Sequence, residues 1–207
     1  MSSSNLAHAQ RAALCDLLEG AGPDAPTLCD GWTTQQLAAH IVVRESRPDA
    51  ALGVFGGPLA QWTERVQNGT ASEPYDKLVR LIRKGPPIWS RFRLPVVDGR
   101  VNTVEYFVHA EDVRRTAAGW QPRPLDPELA DTLWNHLRGG GRADLSSAGV
   151  GVVLQRSDSS DTGDAATMQV VSGEPAVTVI GDPGELTMLC AGRTAVRVEL
   201  AGTDEAV

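Results

Sequence analysis

Two side chains in the segment VNTVEYFVHAEDVRR, residues 101–115, have the chemistry of metal ligands. Glu105 and His109 are four residues apart, so on an α-helix they project together from one face. Imidazole and carboxylate groups are ligands for zinc and related divalent ions. Because two ligands on one helix hold an ion weakly, a metal site here requires a third ligand from another element.

A third ligand of a suitable type occurs in the segment QQLAAHIVVRE. His40 falls between Leu37 and Ile41 on the apolar side of a predicted helix, which directs it toward the interior of a bundle. Helical bundles build metal sites from side chains on facing helices. The three residues His40, Glu105 and His109 would leave one coordination position for water or a substrate, as in catalytic zinc sites.

Each of these residues also has a structural interpretation. Glu105 lies three residues after Asn102, where it is in position to be the capping-box acid of its own helix. His40 is alternatively a core histidine satisfied by a hydrogen bond, and His109 is alternatively paired with Glu105 and nothing more. Asp112 either supports His109 as a hydrogen-bond partner or forms a salt bridge to an arginine, and the salt bridge is the favoured interpretation.

Helical periodicity predicts the elements that position these residues. A first helix is predicted around residues 6–18. Thr33 as N-cap and Gln36 as its capping-box partner predict a second helix from about residue 34 to residue 46. Further helices are predicted around residues 59–67, within PYDKLVRLIRKG, at residues 103–117 and at residues 127–137.

The pattern changes after residue 141. The short β-branched runs VGVVLQR, TMQVVS, PAVTVIG and TAVRVELAG predict strands. DPGELTMLCAGR predicts a short helix with Asp182 as N-cap and Glu185 at the capping-box position. The sequence therefore predicts a mostly α fold, with a helical bundle at residues 1–143 and a small α+β domain at residues 144–207.

Composition excludes several classes of function. A net charge of −7, with no run of basic residues, argues against nucleic acid or an anionic membrane as a partner. The N-terminus lacks the pattern of a signal peptide and no apolar run is long enough to span a bilayer, so we expect a cytoplasmic protein. The three cysteines include no CxxC pair, so each is interpreted as a small buried apolar residue.

Three segments together resemble a known family. PTLCDGWTTQQLAAHIVVRE, VNTVEYFVHAEDVRR and PAVTVIGDPGELTMLCAGR resemble the mycothiol-dependent maleylpyruvate isomerase-like proteins, within the DinB-like superfamily of metal-binding four-helix bundles. The resemblance covers nearly the whole chain, and it implies a DinB-like bundle followed by a sterol-carrier-like C-terminal domain. It also implies a divalent metal, usually zinc, held by the residues that correspond to His40, Glu105 and His109.

The resemblance further implies an activity. A low-molecular-weight thiol such as mycothiol would bind at the open metal position, where coordination deprotonates it. The expected enzyme is an isomerase or S-transferase acting on an electrophilic small molecule, with no catalytic group assigned beyond the metal-bound water or thiolate. Arg193 is the candidate anchor for a carboxylated substrate, and its alternative is a solvent-exposed charge at a helix C-terminus.

Two other classes of function stay open from the sequence. One is a non-catalytic protein that binds a metal or small ligand in the same pocket of the bundle. The other is a purely structural bundle whose inward histidines and glutamate pair with one another. The sequence defines neither the substrate nor the oligomeric state.

Overall fold

The chain consists of two compact units. Contacts between residues divide it into Met1–Trp120 and Gln121–Val207. The computed structural model describes residues 3–47, 49, 60–94, 98–139, 145, 149–158 and 166–202. Within these ranges it contains seven α-helices and a four-stranded sheet, which confirms the predicted helical bundle followed by an α+β domain. The predicted domain boundary at residues 143 and 144 lies outside the described residues.

The first unit is helical in its described part. Its α-helices are α1 (Ser3–Ala21), α2 (Thr34–Ser46), α3 (Ala60–Thr70), α4 (Tyr75–Lys84) and α5 (Thr103–Arg114). A 3-10 turn at Arg91–Arg93 and a π-helical turn at Asp98–Asn102 precede α5. Helices α1, α2, α4 and α5 share one apolar core, represented by Leu18, Leu37, Ile82 and Tyr106, which are all fully buried. These four helices form the bundle that positions the candidate ligands.

A complete capping box fixes the start of α2. The side chain of Thr33 accepts a hydrogen bond from the backbone N–H of Gln35, and Gln36 Oε1 accepts one from the backbone N–H of Thr33 at 2.9 Å. Trp32, directly before the N-cap, packs against the same core as Leu37, which is the arrangement of a hydrophobic staple. The helix therefore begins at Thr34, as predicted, and its rotation about its own axis is set six residues before His40.

Replacing Thr33 by alanine is expected to lower the free energy of unfolding by about 1 kcal/mol, because the first turn of α2 loses a side-chain acceptor. Denaturant unfolding followed by circular dichroism measures the change. Thr33→Ser is the matched control, since serine keeps the hydroxyl and should stay close to the wild-type value. Equal stability of the alanine and serine variants would contradict this role of the cap.

Helix α5 is the central element of the first unit. Every residue from Thr103 to Val113 except Glu105 is buried, so the helix has almost no solvent face. Val101 has helical spacing with Val104 and Val108, but it lies in the preceding π-helical turn and is 39% exposed. The helix also ends at Arg114, three residues before the predicted end at residue 117.

The second unit combines two helices with the sheet. Its elements are α6 (Pro127–Arg138), β1 (Gly151–Arg156), β2 (Thr167–Val171), β3 (Ala176–Gly181), α7 (Pro183–Cys190) and β4 (Glu199–Gly202). The strand order is β2-β1-β3-β4; β1 and β3 are parallel and the other pairs antiparallel. Trp134 and Leu137 of α6 share a core with Leu154 and Leu186, so α6 packs within this unit although its sequence was assigned to the bundle.

Asp182 and Glu185 occupy the predicted N-cap and capping-box positions at the start of α7, but their side chains make other contacts. Asp182 makes no side-chain capping hydrogen bond, and its Oδ1 instead accepts from the Ser157 hydroxyl at 2.8 Å. Glu185 is buried and its Oε2 accepts from the backbone N–H of Arg197 at 2.7 Å, which ties α7 to the segment before β4. No helix in the described part of the chain has the length and apolar character needed to cross a bilayer.

Candidate metal centre

The structure brings the three predicted ligands together between α2 and α5. Glu105 Oε1 lies 3.4 Å from His40 Nε2 and 3.3 Å from His109 Nε2. The two imidazole rings have centroids 5.3 Å apart. One ligand atom from each residue lies within 4.8 Å of the other two, so a single ion placed among them is in reach of all three.

The cluster is largely buried, with one side chain partly exposed to solvent. The side chains of His109, His40 and Glu105 are 9%, 16% and 25% exposed, so the glutamate lies nearest to solvent. The half-buried Trp32 ring packs beside His40, with centroids 5.1 Å apart. Trp32 therefore shields His40, while the Glu105 carboxylate keeps some contact with solvent.

A buried carboxylate orients His109. The Nδ1 atom of His109 lies 2.9 Å from Asp112 Oδ2, and Asp112 is fully buried. A proton on Nδ1 donated to Asp112 leaves the lone pair of Nε2 directed at Glu105 and His40, which is how carboxylates orient metal-binding histidines. The sequence favoured a salt bridge between Asp112 and an arginine such as Arg115, whereas Arg115 bonds Glu111 at 2.7 Å.

Cys29 belongs to this group of residues, although the sequence analysis interpreted it only as a small buried apolar residue. Its thiol donates to Asp112 Oδ2 at 3.2 Å, and the side chain is half-buried. Cys29, His109 and Asp112 also have potential ligand atoms within 4.8 Å of one another. The two clusters share His109, so Cys29 and Asp112 surround the candidate site on the side away from Glu105.

The electrostatics of the cluster favour an ionised glutamate. Burial by itself would raise the pKa of Glu105, but the charge of Arg44 and hydrogen bonds from His109 and His40 outweigh it and hold the pKa well below the usual range. Burial would likewise lower the pKa of His109, but hydrogen bonds to Asp112, Cys29 and Glu105 raise it well above the usual value. The proton that His109 holds is the positive charge that a bound cation would replace.

The donor set fits a zinc-type ion. Two imidazole nitrogens and one carboxylate oxygen match the ligands of catalytic zinc sites, and three protein ligands leave a position for a further group. Metal-binding histidines usually hydrogen-bond a carboxylate or carbonyl through the ring nitrogen that does not bind the metal. The contact of His109 Nδ1 with Asp112 is of this kind. The residues that would hold the ion are therefore His40, Glu105 and His109.

The structural alternative for Glu105 is wrong. Asn102 makes no side-chain capping hydrogen bond to α5, so the capping box does not form. The amide of Asn102 instead accepts from Arg44 and donates to the backbone carbonyl of Phe92, both at 2.8 Å. Glu105 is directed at His40, His109 and Arg44, and it takes part in the cluster rather than in the helix cap.

Arg44 also belongs to the candidate site, because it contacts Glu105. Its Nε lies 3.1 Å from Glu105 Oε1, and its side chain is only 10% exposed. The neighbouring Glu45 is also buried, and it accepts a hydrogen bond from the Tyr106 hydroxyl. The four-residue spacing from His40 to Arg44 could have predicted this position, because residues four apart on α2 share one face of the helix.

Arg193 lies in the second unit, three residues after the end of α7. Its guanidinium donates to the backbone carbonyl of Ala191, and the side chain is half-buried. This contact is of the kind that a cation makes at a helix C-terminus. The role of Arg193 as an anchor for a substrate carboxylate stays a prediction.

The helical unit matches a described protein family. The family model for the mycothiol maleylpyruvate isomerase N-terminal domain matches residues 5–87. The match shows that the N-terminal part of this chain is similar to that domain. This confirms the family recognised from the sequence. The match to the mycothiol maleylpyruvate isomerase domain includes α1 to α4 and His40, and it ends before Glu105 and His109.

Two solved structures are similar over nearly the whole chain. One is the crystal structure of the mycothiol-dependent maleylpyruvate isomerase, with 16% identity and a TM-score of 0.57 over 96% of this chain and 90% of that one. The other is a histidine-to-alanine mutant of the mycothiol-dependent maleylpyruvate isomerase, with 18% identity and a TM-score of 0.60 over 96% and 91%. At such identity the likeness establishes the two-domain fold. No curated protein sequence matches the chain.

Proposed function

We propose that this chain is a metal-dependent enzyme that uses a low-molecular-weight thiol of the mycothiol type, in the isomerase or S-transferase class. The observation that carries the proposal is the convergence of His40, Glu105 and His109, whose ligand atoms lie within 4.8 Å of one another. The partners are a small-molecule thiol and an electrophilic substrate. Zinc is the ion that this donor set fits best.

A divalent ion bound by His40, Glu105 and His109 would supply one kind of chemistry, the deprotonation of a bound thiol at neutral pH. The rest of the site is built by the chain itself. Asp112 orients His109, Arg44 keeps the carboxylate of Glu105 ionised, and Trp32 limits water beside His40. Since each of the three ligands has a supporting neighbour, the site is organised before any ligand arrives.

The class of reaction follows from the chemistry of a thiolate. A thiolate adds to an electrophilic carbon; its release after rearrangement is an isomerisation, and its retention is an S-transfer. Two of the three cysteines are not accessible as nucleophiles. Cys15 is fully buried, and burial raises the pKa of its thiol to about 11. Cys190 is also buried, within the apolar core of the second unit.

The proposal is tested on the purified protein with and without its metal. Elemental analysis should find a divalent metal near one equivalent per chain. Protein stripped with a chelator should not consume mycothiol in the presence of maleylpyruvate or a panel of other electrophiles, and Zn²⁺ should restore consumption. Mycothiol and substrate without protein give the background rate.

The possible outcomes separate three classes of function. Metal-dependent consumption of thiol, or catalytic isomerisation that needs the thiol, supports the enzyme. Stoichiometric metal without turnover across the panel would favour the non-catalytic binding protein. Protein that neither contains metal nor takes up Zn²⁺ after stripping would identify a structural bundle and overturn the proposal.

A further inference from the structure

Arg44 is held from three sides beside the candidate metal centre. Its guanidinium carbon lies 4.1 Å from the centre of the Phe92 ring. Its Nη1 donates to Asn102 Oδ1 at 2.8 Å, and its Nε lies 3.1 Å from Glu105 Oε1. These three partners come from the 3-10 turn, the π-helical turn and α5, so separate elements converge on one guanidinium.

Asn102 connects Arg44 to the backbone of Phe92. It is fully buried, and while its carbonyl oxygen accepts from Arg44, its amide nitrogen donates to the backbone carbonyl of Phe92 at 2.8 Å. The π-helical turn Asp98–Asn102 ends at this residue, directly before α5. Single π-helical turns are frequent at functional sites. Here the turn ends at the residue whose amide anchors Arg44.

The planar guanidinium suits this position better than an ammonium group would. It presents donors in a fixed fork and stacks flat on an aromatic face, so Arg44 can contact Phe92, Asn102 and Glu105 at the same time. A free glutamate side chain samples several rotamers, and fixing it costs free energy. A carboxylate that is already held in place loses less conformational entropy when an ion binds.

We propose that Arg44 is a positioning residue for metal binding, which holds Glu105 in the conformation of a ligand while Phe92 and Asn102 hold Arg44. The inference rests on the proposed function, because it concerns the same ion. The charge of Arg44 acts in the opposite direction, since a nearby cation repels a divalent ion. A variant that keeps the charge but loses the planar fork therefore isolates the positioning effect.

The test measures the affinity of stripped protein for Zn²⁺ by competition with a chromophoric chelator. Arg44→Lys keeps the charge, and it should weaken Zn²⁺ binding by about 10- to 100-fold, the usual effect of losing an outer hydrogen bond to a ligand. Phe92→Leu removes the stacking surface and should weaken binding in the same direction by a smaller factor. The visible absorption of the Co²⁺-loaded protein should change in both variants, because the geometry at Glu105 changes.

The chain offers a closely matched control. Arg115 also forms a buried ion pair with a glutamate of α5, at 2.7 Å from Glu111, and it also stacks on an aromatic ring, with its guanidinium carbon 4.6 Å from the centre of Trp120. Arg115→Lys therefore disturbs a similar pair on the same helix, and it should keep wild-type affinity for Zn²⁺. Thermal melting of the stripped proteins checks that each variant is folded.

Each outcome decides the inference. Wild-type Zn²⁺ affinity in folded Arg44→Lys would overturn the positioning role and leave the proposed function intact. An equal loss of affinity in Arg115→Lys would show that general destabilisation explains the effect, which also overturns it. A wild-type protein that binds no Zn²⁺ would overturn both this inference and the proposed function.

Discussion

Replacing His109 by alanine should leave the purified protein without bound metal, and replacing His40 should have a nearly equal effect. His109 is the most buried of the three candidate ligands, and Asp112 holds its ring in place. Without either imidazole, one histidine and Glu105 would have to hold the ion. Two protein ligands hold a divalent ion weakly, whether they lie on one helix or on two, so the ion should be lost during purification.

The measurement is the metal content of each variant after dialysis against buffer that is free of metal. His8→Ala and His136→Ala are the controls, since His8 is exposed on α1 and His136 lies in the last turn of α6. Both controls should keep the metal content of the wild-type protein. Unchanged metal in His40→Ala and His109→Ala would show that the ligands are assigned to the wrong residues.

A loss of metal has to be separated from a loss of folding. His109→Ala also removes the partner of the fully buried Asp112, which costs stability by itself. His40 is more exposed and its replacement should disturb the core less. Glu105→Gln completes the set because it keeps the shape of the side chain while removing its charge, and it should weaken the affinity for metal. Melting curves of the stripped proteins show which variants remain folded.

The three candidate ligands could be predicted because each depends only on local sequence. The capping box at Thr33 gives the start of α2, and the spacing to Leu37 and Ile41 then places His40 on the inner face. The four-residue spacing of Glu105 and His109 gives a shared face on α5. Helical periodicity is a short-range property, so these positions can be read without knowledge of the tertiary structure.

The residues that support the ligands could not be predicted in the same way. The contacts of Arg44 with Asn102 and Phe92 depend on a π-helical turn, which has no signature in the sequence. The bond from Cys29 to Asp112 joins residues that are 83 positions apart. Such contacts depend on how helices and loops pack against one another. The periodicity of a single segment does not predict that packing.

The ends of helices and strands also could not be predicted fully from local sequence. TAVRVELAG is β-branched enough to predict a strand from residue 194, but β4 is only Glu199–Gly202. A strand requires a partner along its length, and β3 offers β4 the four residues Val177–Ile180. Asp182 occupies the predicted N-cap position, but its carboxylate accepts from the Ser157 hydroxyl and makes no capping hydrogen bond. Tertiary partners overrode local preference in both places.

The largest loss of stability is expected from replacing Glu111 by alanine. Glu111 and Arg115 are each 1% exposed and form a buried ion pair at 2.7 Å, and Arg114 also bonds the same carboxylate at 2.6 Å. Burial would raise the pKa of Glu111, but the hydrogen bonds and charges of Arg114 and Arg115 outweigh it, so the pKa lies below its usual value and the group is ionised. The alanine variant leaves a buried guanidinium without this carboxylate.

Breaking a buried ion pair from one side costs about 3–5 kcal/mol. Urea unfolding should therefore show a loss of this size in Glu111→Ala. Glu73→Ala is the control, because it removes a carboxylate from an exposed pair with Lys77, where a change below about 1 kcal/mol is expected. The double variant Glu111→Leu with Arg115→Met should recover much of the loss, since apolar side chains of similar size replace both charges. A loss in Glu111→Ala no larger than that in Glu73→Ala would mean that the buried pair contributes no more than a surface pair.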